Sequence, residues 1–143
     1  MKYWIFKCDP ERYLIDDRLN DPNPNFRWRV TRYGDEIAPG DIAFIWRTGK
    51  DRGIRAVINI ISEPKQIEDY DHERIYCKNL DTGVRLRVEG KLMKHTDLIS
   101  ADMLRNIPEL HNLSVFHGYQ QATNFGVTDI EGKIIMELIN STT

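Results

Sequence analysis

Apolar residues along the chain fall into short runs separated by turn-forming residues, which indicates several short strands. Residues 3–7 are mostly apolar and aromatic and predict a largely buried strand. Residues 42–46 are nearly continuously apolar, and residues 54–61 follow after a polar loop with two glycines, so they predict an antiparallel hairpin. Residues 74–78 and 84–88 predict a second hairpin, whose later strand alternates apolar and basic residues and has one solvent-exposed face.

Helix signals appear near the start of the chain. Asp9 is a candidate N-cap, Pro10 suits the first helical position, and Glu11 adds an acidic residue in the first turn. This predicted helix ends near Asn20, because residues 21–25 are a cluster of turn formers and helix breakers.

Two further helices are predicted in the last third of the chain. Residues 100–104 favour a short helix, and Thr128 with Glu131 forms a capping box that starts a closing helix through about Ile139. Gly132 lies inside this helix, at a cost of roughly 1 kcal/mol relative to alanine. The pattern as a whole predicts an α+β fold, a mainly antiparallel sheet curled toward a barrel with helices at its edges.

Residues 1–143 are predicted to form one domain, because 143 residues are enough to bury a core and no linker or repeat divides them. No apolar run approaches the roughly 20 residues that span a bilayer, so no membrane association is expected. The two cysteines, Cys8 and Cys77, are too few for a disulfide framework, and a reducing, cytoplasmic location is the expectation.

The net charge of −2 does not by itself indicate nucleic-acid binding. Basic side chains nevertheless outnumber acidic ones in residues 27–55, and the reverse holds in residues 63–75. This layout suits a local contact with phosphates, but on charge alone two ordinary solvated surfaces are the better interpretation.

The familiar sequence patterns of catalysis are absent: there is no GxSxG, Walker, GxGxxG or HExxH motif, and the four histidines lack metal-ligand spacing. Cys8, beside Asp9 at the predicted strand–helix junction, could be an activated thiol, since a helix N-terminus lowers the pKa of a thiol. No histidine nearby in sequence offers a partner base, and a buried structural cysteine is the simpler interpretation. No cofactor is expected.

Two of the three tryptophans occupy positions where a strand meets a loop. Trp4 lies within an apolar strand and is expected in the core, whereas Trp28 lies among arginines and Trp46 is followed at once by Arg47. A base stacked on an aromatic face gains roughly 1–3 kcal/mol, although each tryptophan taken alone is more often part of the packing. Basic neighbours of these rings could hold phosphate. The candidate phosphate-binding residues are Arg27, Arg32, Arg47 and Lys50.

Residues 120–125 form a polar, non-periodic stretch before the closing helix. Amides and hydroxyls that both donate and accept hydrogen bonds are suited to reading the Watson–Crick edge of a base. A loop in which Thr123 and Asn124 satisfy backbone groups explains the same composition equally well.

Several segments in order along nearly the whole chain resemble the EVE domain family. They are residues 2–7, 28–33, 39–47, 53–54, 62–64 and 121–125. The resemblance implies a PUA-like fold, a curled mixed β-sheet with flanking helices, and kinship with the YTH domains that read N6-methyladenine in RNA. It also implies a non-catalytic module that binds a modified base in DNA or RNA and serves a separate effector protein.

The resemblance also implies a base-binding pocket. Trp28 would be one wall, the backbone at Arg29 and Val30 would read the base edge, and Trp46 would begin the rim. The candidate pocket residues are Cys8, Asp9, Trp28, Arg29, Val30, Trp46, Gln121, Thr123, Asn124 and Phe125. Ala122 stands where many members are expected to carry glycine. An enzyme acting on a nucleotide or modified base, and a small-molecule or protein-interaction domain that reuses the pocket, are the alternatives.

Overall fold

The computed structural model describes residues 1–78, 82–117 and 122–141. Within these residues the strands are β1 (Tyr3–Cys8), β2 (Asn25–Arg29), β3 (Ile42–Arg47), β4 (Gly53–Ile60), β5 (Lys65–Ile67), β6 (Arg85–Ser100) and β7 (Asn124–Val127). The α-helices are α1 (Ile15–Asn20), α2 (Ala101–Arg105) and α3 (Asp129–Ser141). Short 3-10 helices cover Asp71–Ile75, Pro108–Leu110 and Ser114–Phe116.

The strands form one mixed sheet in the order β2-β6-β4-β3-β1-β7, and β5 also pairs with β6. β1 and β3 are parallel, whereas the other strand pairs are antiparallel. β6 is long because it pairs first with β5 and β2 and then with β4, with two register shifts along β4. The predicted α+β fold, a curled mixed sheet with flanking helices, is confirmed.

The two edges of the sheet meet at Asn124, which is completely buried in β7. Its Oδ1 accepts hydrogen bonds from the backbone N–H of Thr31 at 2.7 Å and of Arg32 at 3.3 Å. Its Nδ2 donates to the carbonyl oxygen of Arg29 at 3.2 Å. We call these contacts the Asn124 clasp. They join the end of β2 to β7, so the sheet curls until its first and last strands touch.

Side chains alternate between two hydrophobic clusters on opposite faces of the curled sheet. The inner cluster contains Trp4, Phe6 and Trp28, and α1 packs on it through Ile15 and Leu19. The rings of Phe6 in β1 and Trp28 in β2 stack at 6.2 Å although these strands lie near opposite edges of the sheet, so this cluster fills the inside of the curl.

The outer cluster lies between the other face of the sheet and the C-terminal helices. Tyr3, Ile5, Phe44 and Trp46 contribute from β1 and β3. From α3 it receives residues such as Ile135. None of the helices in residues 1–78, 82–117 and 122–141 has the length and apolar character that a bilayer span requires.

Several predictions from local patterns are confirmed. β3 and β4 form the expected antiparallel hairpin. The Ser100 hydroxyl accepts from the N–H of Met103 and caps α2. Thr128 and Glu131 form the reciprocal capping box of α3, with bonds of 2.9 and 3.2 Å. Gly132 packs so closely on Tyr3 that an added Cβ would collide with the ring.

The first predicted helix ends at Asn20 as expected but starts at the wrong residue, and one predicted hairpin is wrong. No helix starts at Asp9, because the N–H groups of Arg12 and Tyr13 both bond to the Asp9 carbonyl in a turn, and α1 begins only at Ile15. The predicted hairpin of residues 74–78 and 84–88 does not form either. The first segment overlaps the end of the 3-10 helix Asp71–Ile75, and the second starts β6, which pairs with β2 and β5 instead.

Candidate functional site

A cleft of about 500 Å³ opens beside the ends of β1 and β2. This volume lies in the range of roughly 300–1,000 Å³ that is usual for small-molecule sites. The residues that line the cleft are Lys7, Cys8, Asp9, Arg12, Tyr13, Arg27, Trp28, Arg29, Asp69, Cys77, Arg87, Ala122 and Thr123.

Two aromatic rings form part of the cleft wall. Trp28 stacks on Phe6 with an interplanar angle of 19°, and Tyr13 meets it edge-on at 6.0 Å. Trp28 is only 7% exposed. It is therefore a rigid wall held from two sides rather than a freely exposed platform.

Tyr13 is held in place by a buried ion pair. Nε of Arg18 lies 2.7 Å from Oε1 of Glu73, and the Tyr13 hydroxyl donates to Oε2 of the same carboxylate at 3.1 Å. Arg18 also donates to the carbonyl oxygens of Asn23 and Asn25. Burial, and then the Glu73 charge, raise the pKa of the Tyr13 hydroxyl, which stays protonated. Because every member of this pair is hydrogen-bonded, it fixes the cleft wall without leaving an uncompensated buried charge.

Asp69 contributes a carboxyl group to the cleft. Its Oδ1 accepts from the N–H of Tyr70 at 2.8 Å, and its Oδ2 lies 3.7 Å from Nη1 of Arg87. Arg87 is itself buried and donates to the carbonyl oxygens of Ile67 and Gly83. Burial of the Asp69 carboxyl raises its pKa to about 6, so this group changes charge near neutral pH.

The cleft is cationic although the chain as a whole is not. Its lining carries Lys7, Arg12, Arg27, Arg29 and Arg87 against two carboxylates, those of Asp9 and Asp69. Such a local excess of positive charge favours an anionic ligand, because the partly enclosed walls concentrate the field.

Arg27 lies on the lining with its guanidinium 4.0 Å above the ring of Tyr70. It donates to the carbonyl oxygen of Glu68 at 3.1 Å, and its Nε lies 3.7 Å from the Glu89 carboxylate. These contacts hold Arg27 in place and connect β2 to the segment that carries Asp69.

Cys8 lines the cleft with a thiol whose burial disfavours the thiolate. Burial, followed by the nearby Asp16 charge, raises its pKa to about 12. The structure does not support the activated-thiol alternative, since no helix starts at Cys8 and burial favours the protonated thiol. Across residues 1–78, 82–117 and 122–141, no group of three or more metal-ligating side chains comes together.

The structure brings some of the predicted site residues into the cleft. They are Cys8, Asp9, Trp28, Arg29 and Thr123, with Arg27 from the candidate phosphate contacts. Ala122, where glycine was expected, also lies on the lining. Gln121 lies outside the described residues.

Trp46 is placed differently from the prediction. Its ring is buried in the outer cluster, 5.8 Å from Phe116 and edge-on to it, on the sheet face opposite Trp28. Phe125 is buried in the same cluster. Side-chain alternation along β3 and β7 turns both rings away from the cleft, so neither can be a wall of it.

The predicted base-edge groups around Asn124 are already bonded within the chain. Both ends of its amide belong to the Asn124 clasp. The clasp also occupies the Arg29 carbonyl, and the N–H of Val30 donates to the carbonyl of Leu86. The alternative in which residues near 124 satisfy backbone groups is the one that the geometry supports.

Three candidate phosphate contacts do not line the cleft. Arg32 lies over the ring of Tyr33 and donates to its hydroxyl at 2.7 Å. Arg47 pairs with the Asp16 carboxylate at 3.1 Å. Lys50 is exposed on the loop between β3 and β4, whose Gly49 lies close to Pro10.

Sequence reasoning missed other residues of the lining. They are Lys7, Arg12, Tyr13, Asp69, Cys77 and Arg87. Arg87 carried a usable signal, because it lies in the alternating stretch 84–88, but that alternation suggested a solvent-exposed side chain. Asp69 lies in an acidic segment whose composition is typical of an ordinary solvated surface.

The family model of the EVE domain matches residues 2–138. The chain belongs to the EVE domain family. This EVE domain is similar in fold to a hypothetical protein from Leishmania major, with 16% identity, coverage of 98% and 95% of the two chains, and a TM-score of 0.70.

Two other solved structures share the fold of this EVE domain. Human THYN1 in complex with DNA containing 5-methylcytosine is 17% identical, with both chains fully covered and a TM-score of 0.69. The YTH domain-containing protein mmi1, in a complex with RNA, is 17% identical, with 97% and 81% coverage and a TM-score of 0.58. No curated protein sequence matches the chain.

Proposed function

We propose that this EVE domain is a non-catalytic module that binds one modified base of DNA or RNA in the cleft beside Trp28. The observation that carries the proposal is the combination of a fixed aromatic wall with a cationic lining in a cleft of about 500 Å³. An aromatic wall contacts the apolar face of a base, and the guanidinium groups contact the flanking phosphates.

Two relatives of the same fold support a nucleic-acid partner. One is the human THYN1 complex with 5-methylcytosine-containing DNA, and the other is the mmi1 complex with RNA. A base inside a duplex must be flipped out of the stack to reach such a cleft, at a cost of a few kcal/mol. A methyl group in an apolar slot returns about 1–3 kcal/mol of preference. A separate effector protein that acts on the bound nucleic acid is part of this proposal.

The test compares two tryptophans that differ in location but not in burial. A single-stranded fluorescent oligonucleotide carrying 5-methylcytosine or N6-methyladenine is titrated, by fluorescence anisotropy, with wild type, Trp28→Phe and Trp46→Phe. Both rings are nearly buried, so the two variants lose similar packing, but only Trp28 lines the cleft. We expect Trp28→Phe to weaken binding about tenfold, which corresponds to about 1.4 kcal/mol.

Trp46→Phe is expected to bind within about twofold of wild type, since its ring lies on the other face of the sheet. Thermal melting of all three proteins checks that each is folded. Equal binding by wild type and Trp28→Phe, or equal loss in both variants, would contradict the assignment of the cleft.

A further inference from the structure

Asp69 lines the cleft, and among the described residues only one oxygen of its carboxyl group accepts a hydrogen bond. Oδ1 is occupied by the N–H of Tyr70. Within the part of the chain that the structure describes, Oδ2 has no hydrogen-bond donor, since the nearest cation, Nη1 of Arg87, is 3.7 Å away. The Asp69 side chain is 9% exposed and belongs to the cleft lining, so its carboxyl group is largely desolvated.

The surroundings of Asp69 do not hold it firmly in the ionised state. Arg87 on β6 favours the charged form but also bonds to two carbonyl oxygens. In the 3-10 helix Asp71–Ile75, His72 favours the charged form of Asp69, whereas the Glu73 carboxylate opposes it. The N–H of Tyr70 favours it as well, but burial outweighs these contacts and raises the pKa of Asp69 to about 6.

The two protonation states of Asp69 suit different bases. A carboxylate only accepts hydrogen bonds, whereas a protonated carboxyl both donates and accepts. Cytosine presents N3 as an acceptor beside the N4 amino group, and adenine presents N1 beside the N6 amino group. Both edges complement a protonated carboxyl. Guanine presents two donors, N1–H and the N2 amino group, and complements the carboxylate.

We propose that Asp69 reads the Watson–Crick edge of the bound base and selects a cytosine-type or adenine-type base by sharing one proton with it. This inference rests on the proposed function of the cleft and adds the residue that recognises the base. It replaces the Asn124 amide as the reading group, since that amide is already bonded within the clasp. Methylation at C5 of cytosine, or a single methyl on the adenine N6, leaves the acceptor and one amino N–H in place.

Proton sharing predicts the sign of the pH dependence. The protonated form of Asp69 makes up about a tenth of the free protein at pH 7 and about nine tenths at pH 5, and apparent affinity scales with the competent fraction. Affinity for cytosine-type or adenine-type bases is therefore expected to rise about tenfold as the pH falls from 7 to 5. Affinity for a guanine-type base is expected to fall over the same interval.

The experiment measures binding of single-stranded oligonucleotides with 5-methylcytosine, N6-methyladenine, unmodified guanine or an abasic site at one central position. Each is titrated at pH 5, 6 and 7, and affinities are divided by that of the abasic oligonucleotide, which removes the pH dependence of phosphate contacts. The cytosine and adenine arms show which of the two base types is bound. Asp69→Asn is compared with Asp71→Asn, the same change at an exposed residue outside the cleft.

Asp69→Asn is expected to abolish the pH dependence of the ratio, because an amide donates and accepts at every pH. At pH 7 it should bind the preferred base about as well as wild type does at pH 5, while Asp71→Asn follows wild type. A wild-type ratio that is flat with pH, or highest for guanine, overturns the inference, and these wild-type data suffice even if Asp69→Asn folds poorly. No binding of any base above the abasic oligonucleotide overturns the proposed function itself.

Discussion

Replacing Asn124 with aspartate tests the Asn124 clasp with almost no change of shape. The substitution exchanges Nδ2, which donates to the Arg29 carbonyl oxygen, for a carboxylate oxygen, which repels that carbonyl oxygen when it is ionised. The site is completely buried, and full burial can raise a carboxyl pKa by about 3–5 units. The N–H groups of Thr31 and Arg32 still donate to the other oxygen and offset part of this shift.

A net rise of about 2 units in the pKa of the introduced carboxyl, from about 3.9 in the unfolded chain to about 6 in the folded one, corresponds to a loss of about 3 kcal/mol in the free energy of unfolding at pH 7. Because the folded pKa is the higher one, the loss disappears as the pH falls from about 6 to below about 4. The protonated carboxyl can again donate to the Arg29 carbonyl. Asn124→Asp should therefore regain most of its stability at low pH, measured as its difference from wild type.

Urea unfolding of wild type, Asn124→Asp and Asn124→Ala at pH 4 and pH 7 measures these differences. Asn124→Ala should lose about 2–3 kcal/mol at both pH values, because it leaves buried backbone groups unpaired and adds no titrating group. Asn112→Asp, at an exposed position, should change stability by less than about 0.5 kcal/mol. If Asn124→Asp matches wild type at pH 7, or if its loss is the same at both pH values, the clasp does not carry this energy.

Two further predictions concern close packing and thiol chemistry. Gly132→Ala should lower the melting temperature, because the added Cβ collides with the Tyr3 ring. The collision costs about 1–3 kcal/mol, whereas the better helix propensity of alanine returns only about 1 kcal/mol. A melting temperature at or above that of wild type would show that the ring can move. Cys8, with its pKa raised to about 12, should remain unmodified by iodoacetamide at pH 8 in the native protein. Mass spectrometry of the peptide that contains Cys8 measures the extent of alkylation. Alkylation as fast in the native protein as in urea would contradict this prediction.

Local sequence patterns predicted the elements whose partners are close in the chain. The hairpin of β3 and β4 depends on two apolar runs and one short loop, and the start of α3 depends on Thr128 and Glu131 only three residues apart. β6 was missed beyond its first residues. Since it pairs with three strands in succession, its burial pattern follows no single alternation.

The candidate site was predicted in part for a related reason. Trp28 and Trp46 look alike in sequence, since each is followed at once by arginine near a strand–loop boundary. They lie on opposite faces because the register of each strand decides which face a given side chain occupies. That register is set by pairing with strands that are distant in sequence. Asp69 resembles its acidic neighbours in sequence. The fold brings Arg87 of β6 within 3.7 Å of its carboxylate and places Arg27 of β2 over the neighbouring Tyr70 ring, and neither contact is visible in the local sequence.

The position of β1 between β3 and β7 has a consequence for how the molecule forms. β1 contributes Lys7 and Cys8 to the cleft, whereas Ala122 and Thr123 arrive more than a hundred residues later on the approach to β7. Closing so long a loop is entropically costly and makes such pairings slow. A ribosome-bound chain that has not yet exposed its last strand therefore lacks one wall of the cleft, and ligand capture should begin only after that strand has docked.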